Sequence, residues 1–573
     1  MPNIVTRSIP QTAYDALLKS GISPLLARVY AARGITSTEE IDAALKRLLP
    51  LELLTHCQTM AKILADAIEQ KKKLLIVADY DSDGATACAV GIRALRMFGA
   101  EVHYLVPNRF EYGYGLTPEI VQLAAQSKPD FIITVDNGIA SVEGVAEANR
   151  LGIKVLVTDH HLPGDSLPAA TCIVNPNQPG CEFPSKSLAG VGVMFYVMLA
   201  LRAELRERGA YDDSNQPKLA DLLDLVALGT VADVVKLDGN NRILVSEGLK
   251  RIRADRACAG VQALLRVARR DARRAGTYDL GFMVGPRLNA AGRLNDMSLG
   301  IETLVTDDKP RALQLAQQLD ALNRERRDIE AGMQESAMTI LDKIKDEGGR
   351  MKDEKIVPTF GLCLFDPTWH QGVIGILASR IKDKYHRPVI AFAKGLNDEI
   401  KGSGRSIHGL HLRDALDLVS KKHPDLILKF GGHAMAAGLT IREPDFEKFR
   451  TEFETALQTL LSPADLTKTI ETDGELPTKE TSMQLAQEIE SQVWGQGFPV
   501  PVFCDIFKVE SQRIVGEKHL KLKLQKDRNT FEAMLFSHAD PLPEQIRATY
   551  RLSVNEYNGN QTLQLIVENW AAA

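Results

Sequence analysis

The chain has 573 residues, of which 45% are hydrophobic and 25% charged, with a formal net charge of −5. One hydrophobic core cannot organise that length, so roughly three or four domains are expected, and no apolar stretch is long enough to cross a bilayer. Seven scattered cysteines with no C-x-x-C pair argue against a disulfide framework and a thiolate zinc site, so any metal is expected on Asp and His.

The opening segment MPNIVTRSIPQTAYDALL lacks the basic-then-apolar pattern of a secretory leader, so a cytoplasmic location is expected. Residues 1–50 read as a helical arm. From about 51 to 235 strands and helices alternate: helix AKILADAIEQ, strand LLIVA, a helix over roughly 84–98, strand EVHYLVP, helix 117–127, strand FIITV, helix 141–150 and strand KVLVT. Such alternation predicts a mostly parallel sheet covered on both faces. A buried helix is expected over 187–207, where AGVGVMFYVMLAL has no polar face, and LLDLVALGTVADVV follows. Residues 308–347 repeat apolar residues at helical spacing, which predicts a long helix pair or one long connecting helix.

A new α/β block starts near 355 with strand IVPTFGLCLF, helix 372–383, strand PVIAFA and helix 411–420. The polar residues 462–475 read as a linker. Beyond residue 500, FCDIFKVESQRIV, HLKLKLQKD, TFEAMLF and ATYRLSVNEYNGNQTLQLIVENW alternate polar and apolar, and Tyr557-Asn558-Gly559-Asn560 signals a hairpin. A small barrel or sandwich is expected there, with the five-stranded oligonucleotide-binding (OB) barrel as its leading form. Lys521 and Lys523 alternate onto one face of it. The net acidic charge does not advertise nucleic-acid binding, although carboxylates that face a cation also count as negative. Basic residues do cluster in RVARRDARR (266–274) and in Asn323-Arg324-Glu325-Arg326-Arg327, and both read as solvated helix faces.

Three of the strand-like runs end in chemistry. LLIVA leads into Asp79-Tyr80-Asp81-Ser82-Asp83-Gly84, FIITV into Asp136-Asn137-Gly138, and KVLVT into Asp159-His160-His161. Each has the length and β-branched content of a strand buried on both faces. Open α/β sheets build their ligand sites at the carboxyl ends of such strands. Two readings of Asp79, Asp81 and Asp83 stand side by side. If the strand continues, all three carboxylates point one way and repel unless cations neutralise them. Otherwise they form a cap and a turn, places that Asp also favours. Asp136-Asn137-Gly138 alone is equally a turn, and the paired histidines alone are equally a cap or core pair. Three such ends in succession suggest one cluster of oxygen and nitrogen ligands. Mixed Asp and His ligands suit Mn²⁺ or Mg²⁺ better than thiophilic metals. A two-metal site suits in-line displacement at phosphorus, with one ion activating the attacking water and both neutralising charge. The lack of a G-x-x-x-x-G-K-[ST] loop or a strong Ser/His/Asp arrangement weakens nucleotide-triphosphatase and covalent-hydrolase readings.

The ordered set VADYDSDGATA, PNRFEYGYGL, TVDNGIAS, TDHHLP, LAGVGVMFYV, ALGTVADVV and GPRLNAAGRLNDM resembles the DHH phosphoesterase superfamily, and within it the single-strand-specific exonucleases. The likeness runs from about residue 50 to the end of the chain. Asp-His-His alone is a weak signature, and PNRFEYGYG and GPRLNAAGR carry most of the specificity. The resemblance implies a multidomain α/β fold. An N-terminal helical arm (1–50) precedes a parallel-sheet DHH phosphoesterase domain (51–307). A connecting helix (308–347), a second α/β DHH-associated substrate-binding domain (348–461) and a C-terminal all-β OB-like nucleic-acid-binding barrel (462–573) follow.

The resemblance also implies two divalent ions, Mn²⁺ or Mg²⁺. Asp81 and Asp136 would hold one, with Asp79 helping; Asp83, Asp136, His160 and Asp233 would hold the other, so that Asp136 bridges. His161 is expected just outside them, toward the scissile phosphate, completing a catalytic set of Asp81, Asp83, Asp136, His160 and His161. GTVADVV aligns Asp233, rather than Asp224, with the family's fourth motif. Substrate contacts are implied for Arg109, Tyr112 and Tyr114 in the loop after EVHYLVP, the arginine on a phosphate and the tyrosines either stacked on bases or packing the loop. Arg287, Asn289 and Arg293 are implied near the 5′ end of the strand. His370, Arg380, Arg405 and His433 are implied around the Gly-rich turns of the DHH-associated domain, where backbone N–H groups approach phosphates.

The implied activity is metal-dependent hydrolysis of single-stranded DNA from the 5′ end to mononucleotides, in DNA repair and recombination. A groove between the two α/β domains, too narrow for duplex, would select the single strand. The alternatives are a DHH-type phosphodiesterase on short RNA or cyclic dinucleotides, an inorganic pyrophosphatase, or a non-catalytic nucleic-acid scaffold. The C-terminal barrel and PNRFEYGYG weigh against a small substrate, and the full set of ligands weighs against a scaffold. Single-stranded DNA, a single-strand-binding protein and a helicase are the implied partners, and a monomer with no membrane attachment is expected.

Overall fold

The computed structural model describes residues 3–108, 112, 115–349, 359–557 and 559–573. They fall into two units, Thr6–Leu322 with Glu471–Ala573, and Met1–Val5 with Asn323–Ile470. The chain opens on a short strand, β1 (Asn3–Thr6), before the helices Gln11–Lys19 and Pro24–Ala31. The arm is therefore helical only from Gln11 on, because the β-branched Ile4, Val5 and Thr6 favour an extended backbone.

The apolar runs become β2 (Lys73–Ala78), β3 (Glu101–Leu105), β4 (Phe131–Val135) and β5 (Lys154–Thr158), and Cys172–Val174 adds β6. All pair in parallel, in the order β3-β2-β4-β5-β6. Every residue of β4 is buried, as are the last five of β2 and the last four of β5. Burial on both faces is what helices on each side of a parallel sheet impose. The helices Ser82–Met97, Pro118–Ala125 and Val142–Arg150 make the crossovers that parallel neighbours require. The unbroken apolar run at 190–201 becomes the buried helix Gly190–Glu207, packed against Ser82–Met97.

Because β2, β4 and β5 are in register at Ala78, Val135 and Thr158, the residues that follow emerge side by side. Their backbone N–H groups extend the ladder one step: Asp79 to the Val135 carbonyl (3.3 Å), Asp136 to Thr158 (3.0 Å) and Asp159 to Val174 (3.2 Å).

The C-terminal strands β13 (Phe503–Val515), β14 (His519–Lys526), β15 (Asn529–Leu535), β16 (Gln545–Tyr557) and β17 (Asn560–Ala572) close into a barrel, ordered β13-β14-β15-β17-β16. Leu520, Leu522 and Leu524 point inward and are buried, while Lys523 is exposed and Lys521 pairs with Glu532 at 2.8 Å. At the turn between β16 and β17, Gly559 takes a left-handed φ of 78°; Asn558 lies outside the described residues. The segment expected as a linker at 462–475 instead carries the strand β12 (Thr469–Thr472). It also buries Asp473, whose two oxygens grip Arg33 at 2.6 and 2.9 Å.

In the other unit β7 (Leu362–Phe365), β8 (Val389–Lys394), β9 (Glu399–Arg405), β10 (Lys429–Gly432) and β11 (Ala436–Arg442) form a sheet ordered β10-β11-β9-β8-β7, parallel only between β7 and β8. Gly402-Ser403-Gly404-Arg405, expected as a turn, is the end of β9. Its glycines answer packing: a Cβ at Gly402 would lie 2.6 Å from Leu439 and Phe392, and one at Gly404 would lie 2.7 Å from Leu412. The stretch expected as a helix pair or one long helix is one helix, Lys309–Gly349. Arg326 on it is buried between Asn323 and Glu330, so this basic cluster is not simply a solvated face. Among the described residues the seven cysteines are free, and no helix is long and apolar enough to cross a membrane.

Candidate metal centre

The turn after β2 is built around Asp81. It caps the helix Ser82–Met97, and one of its oxygens accepts the N–H groups of Asp83 (2.9 Å) and Gly84 (3.0 Å). The strand therefore stops at Ala78, and the three carboxylates do not share a strand face. Capping and gathering are nonetheless one arrangement, because Asp79, Asp81 and Asp136 each bring an oxygen within 4.8 Å of the others. Asp83 is fully buried in the first turn. Its oxygens accept N–H groups from Gly190 (2.6 Å) and Val191 (2.9 Å), at the start of the helix Gly190–Glu207. Those N–H groups have no partner within their own helix, and their partial positive charge favours a carboxylate. Asn289 holds the turn from a third side, its side-chain oxygen accepting the N–H (2.7 Å) and O–H (2.9 Å) of Ser82.

Asp136 takes a left-handed φ of 62°, a conformation that costs a non-glycine residue about 1 kcal/mol or more. Its side chain lies against Gly190, where a Cβ would come within 2.7 Å of Asp136 Cβ and Oδ1. His160 Nε2 is 3.1 Å from Asp136 Oδ1, 3.5 Å from Asp233 Oδ2 and 3.8 Å from Asp83 Oδ2. Asp233 arrives at the C-terminal end of the helix Leu223–Ala232. Asp224, in the first turn of that helix, is buried elsewhere and accepts the Cys258 N–H at 2.7 Å. The His161 ring lies beside His160, with centroids 4.6 Å apart. Its Nδ1 is 2.8 Å from Asp159, which also accepts the N–H groups of His160 (2.7 Å), His161 (3.1 Å) and Ile139 (2.9 Å).

Five carboxylates thus crowd one interior. Burial, then the charges of Asp83, Asp81, Asp233 and Asp79, push the Asp136 carboxyl well above its usual range, and burial with Asp83, Asp81 and Asp79 does the same to Asp233. Asp83 is pushed up to about 7 by burial and by Asp81, against the N–H groups of Val191 and Gly190. Burial disfavours a charged His161, but its hydrogen bond to Asp159 and the carboxylates of Asp159, Asp79 and Asp81 outweigh it and raise the ring to about 9. Cations relieve such crowding, and hard oxygen donors with imidazole suit Mn²⁺ or Mg²⁺. The donors form overlapping groups, Asp79/Asp81/Asp136, Asp83/His160/Asp233 and Asp136/His160/His161, and Asp136 is common to two of them.

The residues expected to touch substrate are placed less uniformly. Arg287 is buried, its guanidinium held by Asp320 (2.9 Å) and by the Met283 carbonyl. Asn289 is occupied by Ser82, while Arg293 is half-exposed farther along the same helix, Gly285–Leu294. Tyr112 packs half-buried on the apolar cluster that contains Leu116 and Ile120; Arg109 and Tyr114 lie outside the described residues. In the other unit the Arg405 guanidinium rests on Ser403 Oγ (3.1 Å) and the Gly404 carbonyl (2.8 Å). A Cβ at Gly375, in the first turn of the helix Ile374–Tyr385, would lie 2.8 Å from it. Arg380 pairs with Glu330 at 2.8 Å, His370 Nδ1 accepts the Gly372 N–H at 3.1 Å, and His433 is exposed after β10.

Reading the sequence marked Asp159 within its motif but gave no role to it, to Ser82 or to Gly190, the residues that hold the cluster in place. Asp159 had a signal, since it occupies the same step after β5 that Asp79 and Asp136 occupy after β2 and β4. The small residues of LAGVGV were a fainter one.

Three family models match the chain: the DHH family, N-terminal domain, at residues 73–230; the DHHA1 domain at 356–459; and the RecJ OB domain at 472–569. The chain is 48% identical over 565 residues to the single-stranded-DNA-specific exonuclease RecJ of Salmonella typhimurium, covering 97% of each chain. It is 48% identical over 574 residues to the protein of the same name from Escherichia coli, covering 98% of each. Among solved structures it is similar to RecJ of Thermus thermophilus in complex with Mn²⁺, with a TM-score of 0.82 and 28% identity over 100% of this chain and 79% of that one. The Mg²⁺ complex of the same protein gives a TM-score of 0.76 and 27% identity over 100% and 78%.

Proposed function

This chain belongs to the RecJ family of single-stranded-DNA-specific exonucleases, and from that premise we infer a metal-dependent exonuclease whose substrate is single-stranded DNA and whose ions are Mn²⁺ or Mg²⁺. We propose that Asp79, Asp81 and Asp136 hold one ion and that Asp83, Asp136, His160 and Asp233 hold the other. The gathering of these side chains into overlapping groups within 4.8 Å carries the reading. Ions bound there would supply the Lewis acidity that phosphodiester hydrolysis needs.

The chain's own residues supply preorganisation. Asp81 is fixed by its cap and Asp83 by two backbone N–H groups, so neither must reorganise during the reaction. Asp159 takes Nδ1 of His161 and favours the charged form of the ring, in which Nε2 also carries an N–H. We assign that N–H to a non-bridging oxygen of the scissile phosphate. Arg405 and the backbone around Gly375 would meet other phosphates, giving affinity with little sequence preference and a strong salt dependence.

Digestion from the 5′ end to mononucleotides, a role in repair and recombination, a monomeric state in the cytoplasm, and a single-strand-binding protein and a helicase as partners complete the reading. The direction, the pathway and the partners rest on the motif resemblance; the cytoplasmic location and the monomer are the default expectations for this sequence. The test compares 5′-labelled and 3′-labelled single strands, duplex and dinucleotide, with Mn²⁺ or chelator. Loss of label from the 5′ end of single strands alone is expected. Asp136→Ala should abolish cleavage and leave DNA binding largely intact; normal digestion by that variant defeats the site assignment.

A further inference from the structure

Two large aromatic rings stand out in solvent. Tyr278 is 52% exposed and Phe282 65%, and their rings stack on one another with centroids 5.1 Å apart and planes 24° apart. A single exposed ring is ordinary, but a stacked pair on rigid backbone is a surface held ready. The backbone is a π-helix, Asp279–Val284, a rare form that concentrates at functional sites. Its other side is bolted down. A Cβ at Gly281 would lie 3.2 Å from Val231 Cγ1, and one at Gly285 would lie 3.1 Å from the Ala232 side chain. Val231 and Ala232 immediately precede Asp233, so the ridge is packed on the segment that delivers a metal-centre carboxylate.

The basic run 266–274 is tied to the ridge by the Arg270–Asp279 ion pair, and it carries five exposed arginines and one aspartate in a chain whose net charge is −5. It is not a helix face. The helix Ala259–Val267 ends there, Arg269 turns with φ 55°, and a single 3₁₀ turn covers Ala272–Arg274. Arg270 is drawn to Asp279 and Arg274 to Glu556, whereas no described carboxylate pairs with Arg266, Arg269 or Arg273.

We propose that Tyr278 and Phe282, with Arg266, Arg269 and Arg273, form a contact for single-stranded DNA outside the metal centre. Unpaired bases stack on the two rings while adjoining phosphates meet the guanidinium groups. The proposal rests on single-stranded DNA being the substrate. Two features select this occupant. The charge of the run opposes that of a phosphate backbone, and rings that accept any base suit an enzyme with little sequence preference, whereas the bases of a duplex are already stacked.

The test measures binding of an oligothymidylate of about 30 nucleotides with the metal chelated, and the Tyr278→Ala/Phe282→Ala variant should bind about tenfold more weakly or worse. Quenching of 2-aminopurine at one internal position of the strand should disappear with it, while Tyr278→Phe keeps both signals. Arg266→Gln/Arg269→Gln/Arg273→Gln should flatten the salt dependence of binding. The thermal shift that Mn²⁺ gives the aromatic variant should match that of the unaltered chain, reporting an intact metal centre. Unchanged DNA affinity and unchanged quenching in the aromatic variant overturn the proposal and leave the exonuclease reading standing. If the unaltered chain neither binds nor digests single strands, that reading falls and takes the proposal with it.

Discussion

His161 Nδ1 lies 2.8 Å from Asp159 Oδ1, and the same oxygen accepts the backbone N–H groups of His160 and His161. One carboxylate therefore sets the tautomer and charge of one ring and the turn that carries the other into the cluster. Asp159→Asn keeps an acceptor of the same shape but removes the charge. In metal-free protein the His161 ring, raised to about 9, is expected to fall toward the ordinary imidazole value. Digestion of single strands should slow about 10–100-fold. NMR titration of the ring and initial rates check the two parts, and a ring that still titrates near its native value refutes the role given to Asp159.

Under the proposed ligand assignment, protons and metal compete for the same oxygens. Burial, then the neighbouring carboxylates, raise Asp83 to about 7 and push Asp136 and Asp233 well above their ordinary values. A carboxyl whose pKa rises on folding stabilises the native state below its unfolded value, and that contribution is lost as pH climbs through the folded value. From Asp83 alone, metal-free protein should lose stability between about pH 4 and pH 7. Metal uptake should expel protons and raise the melting temperature more at the upper end of that window. Calorimetric titration with Mn²⁺ in buffers of different ionisation enthalpy reads the protons directly. Equal release at about pH 6 and about pH 8 would contradict the crowding described for these carboxylates.

The parallel sheet and the barrel were legible because their signals are periodic. Runs without polar faces marked β2, β4 and β5, and strict alternation marked β14 with Leu520, Leu522 and Leu524 inward. The gathering of Asp79, Asp136 and His160 was legible because each stands at or just past a strand's carboxyl end. Strand alternation was the wrong geometry for Asp81 and Asp83, which gather through a helix cap. Buried ion pairs were not legible at all. Arg326, paired with Glu330, read as solvated charge, Arg287, paired with Asp320, read as a substrate contact, and the Arg33–Asp473 pair drew no reading, because hydropathy records a side chain and not its partner. Gly402 and Gly404 read as turn glycines for a similar reason, since the side chains they make room for, Phe392, Leu439 and Leu412, are distant in sequence.

Asp224 and Asp233 stand at opposite ends of one helix and give opposite predictions. Asp233→Asn removes a carboxylate 3.5 Å from His160 and should abolish both cleavage and the thermal shift on adding Mn²⁺. Asp224→Asn retains an oxygen for the Cys258 N–H and should keep both, with stability altered by about 1 kcal/mol. Thermal melts with and without metal distinguish the two variants, and a lost Mn²⁺ shift in Asp224→Asn would move the ligand to the other end of the helix.

Gly190 is where one added methyl group should do most harm. A Cβ there would lie within 2.7 Å of Asp136 Cβ and Oδ1, and the Gly190 N–H is also the 2.6 Å partner of Asp83. Asp136 cannot yield easily, since its backbone is bonded to Thr158 at 3.0 Å and already holds a left-handed φ. Gly190→Ala should therefore destabilise the protein by about 1–3 kcal/mol. Displacing two proposed ligands, Asp83 and Asp136, by a fraction of an ångström should cut digestion about 100-fold or more. Gly192→Ala is the comparison, because the nearest atoms to its Cβ would belong to the Leu188 side chain, Cδ1 at 2.5 Å, and not to a residue of the metal centre. Rates measured on single strands at saturating Mn²⁺ decide the matter. If Gly190→Ala digests as fast as the unaltered chain, the position of Asp136 against the helix start is not what hydrolysis depends on, and its bridging role fails with it.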